Sequence, residues 1–374
     1  MTSLAIYIHW PFCKAKCPYC DFNSHVRDSV DQDRWRNALL EELEHLHTHV
    51  PDHIATSIFF GGGTPSLMPT RTAQALIEKV HALWSVADNI EITLEANPTS
   101  VEANTFPEFK SAGINRVSLG VQSFDDEQLK FLGREHSSHE AMAAIDSARK
   151  TFSRYSFDLI YARPNQTTQD WEKELTHALH YVDSHMSLYQ LTIEENTAFY
   201  HTYKNGGFTL PDEENATALY MLTETLMASR GLFAYEVSNY AKPGEESRHN
   251  LSYWKGDDYI GVGPGAHGRI SIGGKRIATS TLKSPERWLS QVETQNHATE
   301  VWQEVDSQTE KEERLMMGLR LTAGIDYEPF KASINEKKRA LFIAEGLLEN
   351  NPRILKPTLK GRLLLNTLTA ELLN

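Results

Sequence analysis

Short apolar runs and helical repeats take turns along the first two-thirds of the chain. Leu4 to His9 reads as a buried strand, and Trp35, Leu39, Leu43 and Leu46 then fall on one face of a helix. Ser57 to Phe60 reads as a second strand, followed by a helical face of Leu76, Ile77, Val80, Leu83 and Trp84. Ile90 to Glu95, Arg116 to Val121, Phe157 to Tyr161 and Leu188 to Ile193 read as four more strands. Trp171, Leu175, Ala178, Leu179 and Val182 repeat at helical spacing between the last two. Ala218, Leu219, Leu222 and Leu226 do so after the sixth. Consecutive strand–helix units predict parallel strands joined by right-handed crossovers. Six units fall short of the closed eight-unit barrel. The expected fold is therefore α/β, a partial (β/α)6 TIM-like barrel over residues 1–235. Residues 236–275 are rich in Gly, Tyr, Asn and Pro with little periodicity, so 236–306 reads as a connecting segment. Residues 307–374 read as a smaller, mainly helical C-terminal domain with a winged-helix-like outline, anchored by Leu315, Leu319, Leu347, Leu348 and Leu363 to Leu365.

The length of 374 residues exceeds what one compact core usually fills, in agreement with a large and a small domain. Hydrophobic residues at 40 % and charged residues at 23 % are ordinary for a globular protein. The net charge of −13 comes from 50 acidic and 37 basic residues, which argues against nucleic acid as a main partner. No apolar stretch approaches the roughly 18–20 residues that span a bilayer, so no transmembrane segment is expected. Met1 to Trp10 lacks the basic start and long apolar run of a targeting segment, and the expected location is cytoplasmic. All three cysteines lie within eight residues. That excludes a disulfide framework and points to metal ligands in a reducing compartment.

Those cysteines form the run Cys13-Lys14-Ala15-Lys16-Cys17-Pro18-Tyr19-Cys20, directly after the first strand. Thiolates are the usual ligands of a [4Fe–4S] cluster, and three of them leave one iron without a protein ligand. S-adenosylmethionine can chelate that iron through its amino and carboxylate groups, and the reduced cluster then cleaves its sulfonium to a 5′-deoxyadenosyl radical. Zinc, or three incidental buried cysteines, is the competing reading, but zinc sites usually show two spaced pairs and four ligands. Gly61-Gly62-Gly63-Thr64-Pro65 follows the second strand, either as a close-approach loop for the methionyl moiety or as a tight turn. The remaining strand ends deliver Glu95 with Asn97-Pro98, then Gln122 with Arg134 beyond it, then Asp158, then Glu194. Barrel active sites lie at that end of the strands. Tyr7 and His9 alternate with Ile6 and Ile8, and His9 reads as a satisfied core histidine.

The sequence resembles the radical S-adenosylmethionine superfamily, and within it the oxygen-independent coproporphyrinogen III oxidase group. Tyr7-Ile8-His9-Trp10-Pro11-Phe12-Cys13, the cysteine loop, Gly61 to Pro65, Glu95-Ala96-Asn97-Pro98, Gly120-Val121-Gln122-Ser123 and Asp158-Leu159-Ile160-Tyr161 carry the resemblance. It resembles the HemW-type haem chaperones more than the oxidase. The oxidase has a further cysteine where this chain has Phe22, and an extension ahead of the first strand. His249-Asn250-Leu251-Ser252-Tyr253-Trp254 matches the HNxxYW signature of the chaperones. The resemblance implies Cys13, Cys17 and Cys20 as cluster ligands. It implies Tyr7, Gly62, Gly63, Thr64, Glu95, Gln122, Arg134 and Asp158 as contacts of S-adenosylmethionine. It implies haem near His249, Tyr253 and Trp254, with transfer to acceptor haem proteins such as respiratory ones. A structural histidine is the plainer reading of His249. Porphyrinogen decarboxylation, or radical chemistry on another substrate, is the alternative activity. Where relatives often read Gly-Leu-Pro, this chain has Ala162-Arg163-Pro164, which would put a charge at the barrel mouth.

Overall fold

The computed structural model describes residues 2–373. Six strands follow one another as side-by-side parallel neighbours: β1 (Ser3–Trp10), β2 (Ile54–Gly62), β3 (Ser85–Ala96), β4 (Arg116–Gln122), β5 (Arg154–Tyr161) and β6 (His185–Gln190). They alternate cleanly, because successive strand side chains point to opposite faces. Ile6, Ile8, Ile58, Phe60, Ile92, Leu94, Val117, Leu119, Phe157, Leu159, Met186 and Leu188 face outward into the core beneath the helices. The helices Gln32–His47, Thr70–Leu83, Ser138–Thr151 and Thr168–Ala178 cover that face with Trp35, Leu39, Leu76, Val80, Ile145 and Trp171. The inward face is polar. It carries Tyr7, Ser57, Glu91, Glu95, Arg116, Ser118, Ser156, Asp158, His185 and Ser187.

The expected partial barrel is present, and it does not close. Phe233–Ala234 and five strands of the expected connecting segment extend its sheet to twelve strands. Asn239–Ala241 pairs antiparallel with β6, and Asp258–Val262 pairs parallel with β1 on the far side. His267–Ile272, Lys275–Thr281 and Thr299–Val305 continue outward as an antiparallel meander. The helix Arg248–Lys255 connects Asn239–Ala241 on one side of the six strands to Asp258–Val262 on the other, and its His249 packs on Phe59 inside the curved sheet. One hydrophobic core runs from Leu4 to Ala298, and a second gathers Leu315 to Leu372. The second belongs to a helical unit with a short antiparallel ribbon, Ile325–Asp326 against Ile354–Leu355. Its residues 360–367 face the open side of the barrel across a cavity of about 1150 Å³.

β6 begins and ends three residues before the expected Leu188 to Ile193. The apolar run misleads there because His185 and Ser187 face the polar interior, where they have partners. His185 Nδ1 lies 3.4 Å from Arg116, and Ser187 Oγ donates to Asn239 at 2.8 Å.

Candidate functional site

The cysteine loop is built on what holds it in place. β1 ends at Trp10, and Phe12 packs edge-on against Trp10 and Trp35. His9 Nε2 bonds to the Asn23 carbonyl at 2.9 Å, while its Nδ1 meets the Tyr7 hydroxyl at 3.0 Å. Burial pushes the His9 imidazole down to about 4, so it is a neutral brace. Asn23 in turn donates to the carbonyls of Pro264 and Lys283, each at 2.9 Å.

The glycine run has its first role beneath this loop. Gly62 sits at φ +111°, and a Cβ there would lie 2.5 Å from the His9 ring. A Cβ on Gly63 would meet the Phe12 carbonyl at 2.7 Å. Gly63 N–H and Thr64 N–H donate to the carbonyls of Trp10 and Phe12. The end of β2 thus clamps the loop from below.

The three thiols are free and half-buried. Two of them join through a chain of polar contacts. Thr64 Oγ1 donates to Cys13 Sγ at 3.4 Å, Asn97 Nδ2 donates to Thr64 Oγ1 at 3.2 Å, and Arg134 Nη2 donates to Asn97 Oδ1 at 2.6 Å. Arg134 Nη1 then reaches Cys17 Sγ at 3.4 Å. Donors aimed at sulfur favour thiolate and orient a metal ligand. Asn97, read from the sequence only as a polar strand end, is the middle link. Its signal was its place at the end of β3, level with Thr64 and Gly120.

Glu95, Gln122 and Asp158 line the cavity together with Tyr19 and Cys20. Burial pushes the Glu95 carboxyl up to about 8, and the neighbouring Asp158 adds to the shift. Burial likewise lifts Asp158 to about 6, against Ser187, Arg116 and Ser118, which stabilise its anion. Gly62 N–H donates to Glu95 at 3.3 Å. Gln122 at φ +70° and Ala162 at φ +54° both adopt left-handed backbone where β4 and β5 end. Strain of this kind concentrates at functional sites.

The barrel mouth carries no charge from Arg163, contrary to expectation. Arg163 is 2 % exposed. It turns behind the strand, donates to Ser123 at 2.6 Å and pairs with Glu174 on the helix Thr168–Ala178. Glu194 lies four residues beyond the end of β6, on the cavity edge.

His249 sits elsewhere. It is 2 % exposed, on the helix that crosses the barrel interior, and stacked on Phe59 with centroids 4.8 Å apart. Its Nδ1 meets Ser57 Oγ at 2.9 Å and its Nε2 meets the Tyr253 hydroxyl at 3.0 Å. Burial pushes its imidazole down to about 3. Trp254 stacks under the Arg320 guanidinium at 4.6 Å.

The family model described as the Radical SAM superfamily matches residues 7–178, and the HemN C-terminal domain matches residues 305–364. The heme chaperone HemW of Escherichia coli is 40 % identical over 293 residues, covering 78 % of this chain and 76 % of that protein. HemW of Bacillus subtilis is 33 % identical and covers 96 % of each chain. The chain belongs to the HemW family of radical SAM proteins. A mouse protein named Radical S-adenosyl methionine domain-containing protein 1, mitochondrial, is 36 % identical over the whole of this chain and 88 % of its own length. The structure of Escherichia coli coproporphyrinogen III oxidase superposes with a TM-score of 0.83 over 99 % of this chain and 89 % of that one. At 21 % identity it establishes the shared fold. Among the described residues no helix is long and apolar enough to cross a membrane.

Membership in the family implies a [4Fe–4S] cluster and S-adenosylmethionine, and the residues present fit both. Three unpaired thiols share one loop with donors on two of their sulfurs. Arg134 Nε is buried without a partner, a free donor of the kind that suits a carboxylate. Glu95 and Asp158 supply buried carboxylates for a cationic ligand.

Proposed function

We propose that this protein binds haem and passes it to acceptor haem proteins, with the cluster on Cys13, Cys17 and Cys20 and S-adenosylmethionine beside it. The cavity carries this reading. Its barrel side holds Cys20, Glu95, Gln122 and Asp158. Its other side holds Leu363, Leu364, Leu365, Lys360, Arg362 and Arg320. A flat apolar ring with pendant carboxylates matches leucine surface rimmed by cations. Arg362 is paired with Glu224 at 2.7 Å and Arg320 approaches Glu236 at 3.5 Å. Lys360 donates only to the Glu345 carbonyl, which leaves its charge for a ligand. Phe22, 60 % exposed at the cavity edge, stands where the oxidase has its extra cysteine. The names of the bacterial relatives point the same way.

In this proposal the chain's own groups bind and orient. Gly62, Gly63 and Thr64 shape the methionyl end of the cofactor site, and Arg134 Nε meets the carboxylate. Tyr7 orients the cofactor beside the cluster, Glu95 and Gln122 serve its ribose or amino group, and Asp158 contacts it. Once bound, the cluster and S-adenosylmethionine supply one-electron chemistry. Haem is assigned to the cavity rather than to His249, whose two ring nitrogens are both engaged.

The test is anaerobic haem titration of the reconstituted protein. A Soret band that saturates near one haem per chain, and weakens in Lys360→Glu, supports the reading. Conversion of coproporphyrinogen III to protoporphyrinogen with reductant and S-adenosylmethionine would overturn it in favour of the oxidase.

A further inference from the structure

Beside the cysteine loop lies a third apolar cluster, separate from both cores. It gathers Leu132, Ile160, Leu191 and Phe199, with Tyr19, Phe131, Ile193, Phe208 and Leu210 packed against it. Tyr19 lies between the second and third cysteines. Most of the rest comes from the segment after β6, residues 191–210, whose helix Ala198–Lys204 is solvent-facing except at Phe199. The Phe199 ring sits at the centre, with centroids 4.8 Å from Phe131, 5.1 Å from Phe208 and 6.3 Å from Tyr19. Its backbone N–H donates to the Pro18 carbonyl at 2.8 Å, inside the loop that carries the thiols. Pro18 is fixed from the other side by Gly133, where a Cβ would lie 2.5 Å from Pro18 Cδ.

Phe199 packs in one cluster with Ile160 near the end of β5 but does not itself line the cavity, which takes Leu191, Thr192 and Glu194 from the same segment. The segment is also lightly held. Few of its side chains are buried, and its helix is flanked by left-handed backbone at Asn196 (φ +65°) and Gly206 (φ +73°). Segments with few buried apolar contacts open at low free energy.

We propose that residues 194–210 form an apolar cover over the cysteine loop, with Phe199 as the positioning residue that seats it on Pro18 and keeps oxidants, chelators and water from the cluster. This rests on the cluster reading of the loop. The apolar shell around an iron–sulfur centre governs solvent access and potential. Water stabilises the more highly charged reduced cluster, so opening the cover raises the reduction potential.

The experiment uses anaerobically reconstituted full-length protein and compares wild type with Phe199→Ala, Phe199→Leu and Phe208→Ala. Three quantities are read: the rate of absorbance bleaching in air, the rate of iron release to a chelator, and the midpoint potential. In Phe199→Ala, bleaching and iron release are expected to quicken several-fold and the potential to move positive. The main unfolding temperature and the anaerobic iron content should stay at wild-type values. Phe199→Leu should restore most of the protection, and Phe208→Ala should show the same changes in weaker form. Should Phe199→Ala fail to hold iron, Phe208→Ala and amide exchange of wild type decide, because reconstitution should slow exchange at Phe199. Wild-type rates and potential in the alanine variants, or exchange at Phe199 indifferent to reconstitution, would overturn the cover. Colourless wild-type protein would instead overturn the cluster reading beneath it.

Discussion

His249→Ala separates a structural histidine from a haem ligand. The imidazole bonds to Ser57 and Tyr253 and stacks on Phe59. Its truncation leaves a cavity inside the barrel, at about 3 kcal/mol for a buried ring of this size that partly collapses. The Ser57 hydroxyl loses its partner in a fully buried position, and Tyr253 loses one as well, for about 2 kcal/mol more. The expected loss is therefore about 5 kcal/mol. Unfolding entropy is about 2.1 cal/mol/K per residue, so over this chain the melting temperature should fall by about 6 °C. The assay pairs thermal unfolding with anaerobic haem titration at a temperature where the variant is folded. The structure predicts the drop in melting temperature with haem affinity per folded molecule unchanged. A variant of wild-type stability that no longer gives the Soret band would refute the reasoning and make His249 a ligand.

Three further outcomes follow from the site. Gly62→Ala drives a methyl group into the His9 ring at a left-handed φ, and should cost about 3 kcal/mol and release the cysteine loop, read as lost cluster absorbance. Binding of S-adenosylmethionine should tighten from pH 6 to 8 and release protons. Glu95 and Asp158 hold theirs up to about 8 and about 6, and a cationic ligand favours the ionised carboxylates. Calorimetry in buffers of different ionisation heat measures this, and a flat profile would contradict it. Asn97→Leu cuts the link between Thr64 and Arg134. It should shift the cluster's electron paramagnetic resonance signal and weaken S-adenosylmethionine binding about tenfold, the cost of about one charge-assisted hydrogen bond. An unchanged spectrum and affinity would count against the relay.

The barrel was legible because each of its strands has one apolar face against helices, so Ile6 and Ile8, or Val117 and Leu119, stand out as buried pairs. The cysteine loop was legible because three thiols in eight residues have few other uses. The strands from Asn239 to Val305 were not, since Asn239–Ala241 joins β6 at one end of the barrel and Asp258–Val262 joins β1 at the other, pairings that no local spacing reveals. Asn97 was visible as a residue but not as a link, because its partners Thr64 and Arg134 come from the turn after β2 and from the segment between β4 and β5. Arg163 misled for a similar reason. Its sequence neighbours place it at the mouth, but only the fold shows Glu174 and Ser123 drawing it behind the strand. Ala162 takes a left-handed conformation that a glycine would adopt freely.

The central claim is that three thiolates hold a cluster with one iron open to a small ligand. Iron and sulfide analysis of anaerobically reconstituted protein, with electron paramagnetic resonance before and after adding S-adenosylmethionine, tests it most directly. The account predicts about four iron and four sulfide per chain, lost in Cys17→Ser, and a spectrum that changes when the cofactor is added. Zinc in place of iron, or a full cluster in Cys17→Ser, would contradict it.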